Sequence, residues 1–384
     1  MNFELTSDQK AFQASARDFS LHELAPNAAD WDRDSHFPID VLRRAGEMGF
    51  LSIYTPEEAG GMGLGRLDAS LIFEELSAGC TATAAFMTIH NMATWMVAGF
   101  GSDEVRQQWC PSLVTGEKLA SYCLTEPNAG SDAASLKTTA RRDGCDYILN
   151  GSKCFISGAG STDVLVAMVR TGEPGPKGIS ALVIPADAEG ISYGRKEDKM
   201  GWNAQPTRTI TFENVRVPVA NRLGEEGEGF RFAMKGLDGG RINIATCSLG
   251  TARAAIEQAR TYLAERKQFG KEIGSFQALQ FKLADMATNL VAARQMVHLA
   301  AAKLDARDSQ ATSYCAMAKR FATDACFDVC NDALQLHGGY GYIREYPLER
   351  FVRDSRVHQI LEGTNEIMRV IIARRLLSDD TFQV

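Results

Sequence analysis

Apolar and polar positions change period twice along the chain, which predicts three regions. From Ser7 to about Val114 the spacing is helical. Phe12, Ala16 and Phe19 share one face of a segment that Ser7-Asp8 is placed to cap. Pro38 and Gly49 bracket a second helix, Ile39 to Met48, with proline at its first turn and glycine beyond its last. From about Leu119 to Arg222 the pattern shortens into apolar runs divided by glycine and proline. Tyr147 to Ile156 places Asn150-Gly151 between two such runs, which predicts a hairpin, because both residues tolerate positive φ. Val164 to Val169, Ile179 to Ile184 and Thr209 to Phe212 read as further strands. Strands without helices between them predict a small antiparallel barrel or sandwich rather than a Rossmann sheet.

From Phe230 onward helical spacing returns in long stretches. Leu279, Leu283, Met286, Leu290, Ala293, Val297, Ala300 and Leu304 step by four and three without a miss, predicting one helix over Phe276 to about Asp305. Ala245, Leu249, Ala252, Ile256, Ala259 and Leu263 predict another over Arg241 to Glu265. Two more are expected over about Ala311 to Leu336 and Gly363 to Leu377, so a four-helix bundle is the economical arrangement. The predicted fold is mainly α with a central β-domain. It comprises an N-terminal helical domain (1–118), a small antiparallel β-barrel (119–226) and a C-terminal four-helix bundle (227–384).

Composition narrows the function classes. Hydrophobic residues are 45% and charged residues 23% of the chain, the balance of a globular protein. The net charge is −7. No basic tract is present to neutralise phosphates, so nucleic acid is not an expected partner. No stretch reaches the ~20 apolar residues of a membrane span. The opening MNFELTSDQK resembles neither a signal nor a transit peptide, so a cytoplasmic location is expected, or the mitochondrial matrix if a leader has been removed. The nine cysteines are scattered without zinc-ligand spacing, which predicts buried free thiols and no metal.

Four segments carry candidate chemistry. Tyr122 to Asp132 leaves a strand into a loop of small and polar residues whose N–H and hydroxyl groups can hold a ring edge or a phosphate. Composition alone favours an ordinary polar turn. Glu362, in Leu361 to Arg369, sits between an apolar residue and a glycine at a helix start. Apolar surroundings raise a carboxyl toward the range of a general base, although a helix-start acid is common for electrostatic reasons alone. Gln335 to Gly341 is a glycine-rich helix end, readable as a plain cap. Arg266 and Lys267 close another helix and can pair with carbonyls or with a ligand phosphate. The glycine-rich stretch Glu58 to Gly65 is not a dinucleotide fingerprint. His337, His358 and Trp202 read as packing or capping residues.

In this order and spacing, the segments resemble the acyl-CoA dehydrogenase family over essentially the whole chain. The resemblance is strongest to members that oxidise isobutyryl-CoA to methacrylyl-CoA, as in valine breakdown. It is carried by Gly151 to Gly160, Gly201 to Thr207, Gly239 to Ala245 and Asp354 to Gly363. It implies FAD as cofactor, with Glu362 taking the α-proton and flavin N5 accepting the β-hydride. The thioester oxygen would be held by the Glu362 N–H and a flavin ribityl hydroxyl. Some members place the base just before the arginine matching Arg241; that position is Gly240 here, so the assignment falls on Glu362.

The resemblance also implies a set of binding residues. Tyr122, Leu124, Thr125, Gly130 and Ser131 would line the flavin, with Phe155, Ile156 and Ser157 covering its other side. Arg266, Phe276, Gln277, Gln335, Leu336, His337, Gly338 and Gly339 would reach the FAD of a neighbouring subunit. Thr364, Asn365 and Glu366 would also contact FAD. Ser131, Asp238, Gly239, Gly240, Arg241 and Arg374 would line the acyl-CoA path. A homotetramer and an electron-transferring flavoprotein are the implied partners. The alternatives are 2-methylbutyryl-CoA or a straight short-chain thioester as substrate, an oxygen-using acyl-CoA oxidase, and a non-catalytic helical protein on the same scaffold.

Overall fold

The computed structural model describes residues 4–378. The expected terminal domains run past these limits at 1 and 384. Six helices open the chain: α1 (Ser7–Phe19), α2 (Ala28–Asp34), α3 (Ile39–Glu47), α4 (Arg66–Gly79), α5 (Thr81–Phe100) and α6 (Asp103–Val114). Ala16 and Phe19 are buried as the periodicity predicts. The cap of α1 is Thr6, not Ser7-Asp8. The Thr6 hydroxyl accepts from the Gln9 N–H, and the Gln9 side chain accepts from the Thr6 N–H, so both exposed donors are satisfied.

Eight strands follow: β1 (Ala120–Cys123), β2 (Thr139–Asp143), β3 (Asp146–Ser157), β4 (Val164–Arg170), β5 (Ile179–Pro185), β6 (Ile191–Tyr193), β7 (Thr207–Pro218) and β8 (Arg222–Leu223). They form one sheet in the order β6-β7-β3-β2-β4-β5-β8, with β1 beside β4. Pairings are antiparallel except those of β4 with β1 and β2. Asn150-Gly151 is not a hairpin turn. The chain runs straight through it within β3, and the reversal lies between Asp143 and Asp146. Gly151 instead sits at a register shift, at φ 143°, where a Cβ would come within 2.7 Å of the Thr138 Cα. Asn150 is held across the ladder by Asn214, its Oδ1 accepting the Asn214 N–H at 2.9 Å. Those long-range bonds override the local turn preference.

The C-terminal region comprises α7 (Gly229–Glu265), a two-stranded ribbon β9 (Lys267–Gln268) and β10 (Lys271–Glu272), α8 (Gln277–Asp305), α9 (Ala311–His337), α10 (Leu348–Arg356) and α11 (Asn365–Ser378). α7 begins twelve residues before the predicted Arg241, because Gly236, Gly239 and Gly240 are absorbed into it. The bundle core joins Leu249, Ala252 and Ala259 of α7, Leu290 and Val297 of α8, and Ala322 and Val329 of α9. Leu348 and Phe351 of α10, a helix the pattern did not mark, complete that core. α11 lies along α9 and buries chiefly Asn365 and Met368. All nine cysteines are free, and eight are buried. Among the described residues no helix is long and apolar enough to cross a membrane, and no group of His, Cys, Asp and Glu could hold a metal.

The long α7 packs against α4, α5, α8, α9 and β5. It is therefore the element on which side chains from all three regions meet. Its N-terminal half carries Asp238, Gly239, Gly240 and Arg241.

Candidate active site

Glu362 lies in the short link between α10 and α11, at φ 55°, and Gly363 follows at φ 89°. Left-handed backbone is costly for a residue with a Cβ, so the surroundings must hold it there. The carboxylate rests on the bare backbone of α7: a Cβ on Gly240 would lie 2.4 Å from Glu362 Oε2. Oε2 reaches neither solvent nor any hydrogen-bond partner. This dry setting pushes Glu362 from its ordinary 4.5 up to about 7, against the opposing pull of Arg241 and Lys319.

Around it stand other incompletely satisfied groups. Arg241 donates through Nη1 to Asp238 at 2.6 Å, but its Nε has no partner. Asp238 also accepts from Thr312 at 2.6 Å, and burial raises its carboxyl. The Tyr122 hydroxyl is buried without a partner, and burial together with Glu362 drives its phenol well up. Gly239 abuts a second buried cation: a Cβ there would meet Arg66 Nη1 at 2.3 Å. The Arg66 guanidinium stacks 3.4 Å from the Tyr54 ring centre, and Nη1 is unpartnered. Buried polar atoms are nearly always paired, so this concentration of orphans marks a place where a polar ligand completes the set.

The loop after β1 is anchored at its base and open at its tip. Lys153, fully buried, donates to Glu126 at 2.7 Å and to the Leu124 carbonyl at 3.1 Å. Glu126 also accepts the N–H of Thr138 at 3.0 Å. The Thr125 carbonyl accepts from the Cys154 N–H at 2.9 Å, tying the loop to β3. Leu124 is buried, whereas Gly130 and Ser131 are exposed, and nothing lies within 4 Å of a Cβ on Gly130. Phe155 is 69% exposed at φ 56°, and Ser157 is half-buried. Ile156 turns its side chain into the sheet core, leaving only its backbone toward the loop.

A second set gathers elsewhere. Arg266, Gln335, His337, Gly338, Gly339 and Tyr340 line a cleft of about 560 Å³, together with Leu336 and residues of α7 and α8. His337 Nδ1 donates to the Ala333 carbonyl at 2.8 Å, so the ring is oriented, while its Nε2 is buried without a partner. Tyr262 stacks on that imidazole at 4.3 Å. A Cβ on Gly338 or Gly339 would meet nothing within 4 Å, which leaves bare backbone facing the cleft. Phe276 is half-buried against the bundle core, and Gln277 is exposed. No lining residue of this cleft belongs to the Glu362 cluster.

Four expected site residues are placed otherwise than a direct contact suggests. The Asn365 amide is wholly engaged inside the chain, with Lys319, Thr323 and Asp324. Arg374 is on the exposed face of α11, and Glu366 is exposed beside it. Thr364 caps α11, accepting from the Ile367 N–H at 3.3 Å. His358 is a packing residue: Nδ1 donates to Ser248 at 2.7 Å and Nε2 accepts from Trp202 at 3.3 Å. Burial depresses it to about 3. Sequence reasoning missed Lys319, Lys153, Glu126 and Arg66. Lys319 is followed by Arg320 and Arg66 stands two residues from Asp68, so no local contrast in the sequence marks them.

Three family models match the chain in sequence. The acyl-CoA dehydrogenase N-terminal domain covers residues 6–117, the middle domain 121–215 and the C-terminal domain 227–377. The chain is 56% identical to a Bos taurus protein named mitochondrial isobutyryl-CoA dehydrogenase, over 98% of this chain and 90% of that one. It is 55% identical to a Dictyostelium discoideum protein of the same name, over 98% and 91%. Its fold superposes on butyryl-CoA dehydrogenase from Megasphaera elsdenii with a TM-score of 0.95 at 38% identity, covering 98% of this chain and all of that one.

Proposed function

Because this chain belongs to the acyl-CoA dehydrogenase family, we propose that it desaturates isobutyryl-CoA to methacrylyl-CoA with Glu362 as the base. The protein is an oxidoreductase of the acyl-CoA dehydrogenase class, and its cofactor is FAD. The observation that carries the reading of Glu362 is its carboxylate set against Gly240, with Oε2 buried and unpartnered and the acid pushed up to about 7. A proton beside a thioester is only weakly acidic. A carboxylate that has lost part of its hydration shell and titrates close to the working pH is suited to take it.

In the forward reaction the Glu362 carboxylate takes the α-proton, and the electron pair of that C–H bond forms the new double bond. The β-hydrogen leaves with its own electron pair. FAD, when bound, supplies the acceptor for that hydride. The Glu362 N–H would supply a backbone donor to the thioester oxygen as negative charge develops there. Arg241 and Asp238, locked together, form the charged wall along which the CoA chain runs. Tyr122 closes the site from the β1 side.

The residues present fit FAD. The open tip at Gly130 and Ser131 leaves loop N–H groups facing outward, and Lys153 with Glu126 keeps Leu124 and Thr125 in place behind them. Phe155 and Ser157 offer an aromatic face and a hydroxyl. The cleft at Gln335–Gly339 has an unpartnered imidazole nitrogen, bare glycine backbone and the Arg266 cation, a donor set suited to the nucleotide end. Its separation from the Glu362 cluster supports a homotetramer in which each cleft serves a neighbour's FAD. An electron-transferring flavoprotein is the proposed acceptor.

Turnover of isobutyryl-, 2-methylbutyryl- and butyryl-CoA, measured with that flavoprotein and separately with oxygen, tests this reading. Isobutyryl-CoA with the flavoprotein is expected to give the highest kcat/KM. Preference for a straight chain overturns the substrate, and equal rates with oxygen overturn the acceptor.

A further inference from the structure

Lys319 is the unexplained charge nearest the chemistry. It sits in the middle of α9 among Ala316, Ala318 and Ala322, fully buried. A lysine is almost never completely buried without a specific partner. Its Nζ donates to the Gly363 carbonyl at 2.8 Å and to Asn365 Oδ1 at 2.9 Å. The same turn of α9 grips Asn365 again, which donates to Thr323 Oγ1 at 2.9 Å and to Asp324 at 2.7 Å. Thus one turn of α9 holds both the carbonyl immediately after Glu362 and the first residue of α11.

The segment it holds is the strained one. Glu362 and Gly363 are consecutive left-handed residues, and the first of them bears a side chain. Such a conformation persists only where contacts over-determine it. The carboxylate also has no hydrogen bond of its own at Oε2, so the backbone alone decides where that oxygen lies against Gly240. We propose that Lys319 is a positioning residue for the reaction: by clamping the Gly363 carbonyl it sets the place of the Glu362 carboxylate. When protonated, it also pulls Glu362 toward its ionised form. This rests on Glu362 being the base. Among the described residues no other side chain bonds both the Gly363 carbonyl and Asn365. Arg241 is turned to Asp238 on its own helix, and Tyr54 and Tyr122 face Glu362 from the N-terminal region and β1 without touching Gly363 or Asn365. Glu366 on α11 and Asp324 on α9 are the remaining charges facing Lys319. Burial pushes the Lys319 ammonium down from its ordinary value to about 7 and Arg241 adds to that fall, while Glu362, Asp324 and Glu366 oppose it.

The test compares Lys319→Met with Lys319→Gln in the flavin-loaded enzyme, following kcat, KM, flavin content and the pH dependence of kcat/KM with isobutyryl-CoA. Met removes both the hydrogen bonds and the charge. Gln keeps a donor for the Gly363 carbonyl and loses only the charge. With Met, kcat is expected to fall about tenfold or more even above the acid limb, with KM within about threefold of wild type and flavin per chain unchanged. With Gln, kcat at high pH stays within about threefold of wild type. In both, the acid limb of kcat/KM moves up by about one pH unit, because Glu362 has lost a nearby cation.

Unchanged kcat and an unmoved acid limb in the Met variant overturn the proposal. So does loss of stability or flavin with kcat per bound flavin intact, which is the mark of a merely structural lysine. If the Met variant does not fold, the acid limb of the Gln variant decides alone. Glu362→Gln separates the two readings. An active Glu362→Gln enzyme removes the base itself, whereas an inactive one with wild-type behaviour at position 319 removes only the role of Lys319.

Discussion

Replacing Glu362 by glutamine is expected to stabilise the folded enzyme while abolishing its reaction, and the gain should depend on pH. In the folded chain Glu362 holds its proton up to about pH 7; unfolded, it loses that proton near 4.5. Below 4.5 both states are protonated and the residue contributes no difference. As pH rises from 4.5 to 7 the unfolded state releases a proton that the folded state retains, so stability falls across that window and levels off above it. Moving a carboxyl over that interval corresponds to about 3 kcal/mol. Glutamine has the shape of the protonated acid and never ionises. The difference between variant and wild type should therefore be near zero at the acid end and approach about 3 kcal/mol in favour of the variant above pH 7. Urea unfolding of the flavin-loaded proteins, followed by tryptophan fluorescence at a series of pH values, measures it. A gap that does not grow with pH, or a variant less stable than wild type at pH 8, refutes the dry setting inferred for this carboxylate.

Three further outcomes follow from the packing. Gly240→Ala puts a methyl where the Glu362 carboxylate lies, 2.4 Å from Oε2, and should cut kcat by roughly a hundredfold while leaving the thermal midpoint within a few degrees; steady-state kinetics and a melting curve check both. Lys153→Met strands Glu126 as a buried, uncompensated charge, so about 3–5 kcal/mol of stability should be lost, with flavin released at lower urea concentration than in wild type. Gly151→Ala forces a Cβ onto the Thr138 backbone at a left-handed position and should cost about 2 kcal/mol in urea unfolding, with kcat per folded molecule unchanged.

The helices were legible because their signal is periodic and redundant. The eight positions of the α8 seam all point inward, five of them fully buried, so no single residue had to be right. The start of α7 was not legible, since three glycines in five residues read locally as a break. They are tolerated because Arg66, Glu362, Met92 and Met96 fill the space that side chains would have taken. Asn150-Gly151 misled for the reverse reason: its local preference is strong, but Asn214 and Thr138 are distant in sequence. Glu362 could be singled out from its neighbours Leu361 and Gly363, yet its pairing with the bare surface of Gly240 could not. Lys319 and Lys153 were invisible, because a buried lysine is recognised only by the carbonyl or carboxylate it meets, and those partners lie 44 and 27 residues away.

The decisive measurement is flavin bleaching in a single anaerobic turnover with isobutyryl-CoA, followed by stopped flow for wild type and Glu362→Gln. Wild type should bleach within one turnover. The glutamine variant should bind the thioester, seen as a shift of the flavin band, and then bleach roughly a thousandfold more slowly. Bleaching of the variant within about tenfold of wild type would show that another group takes the α-proton.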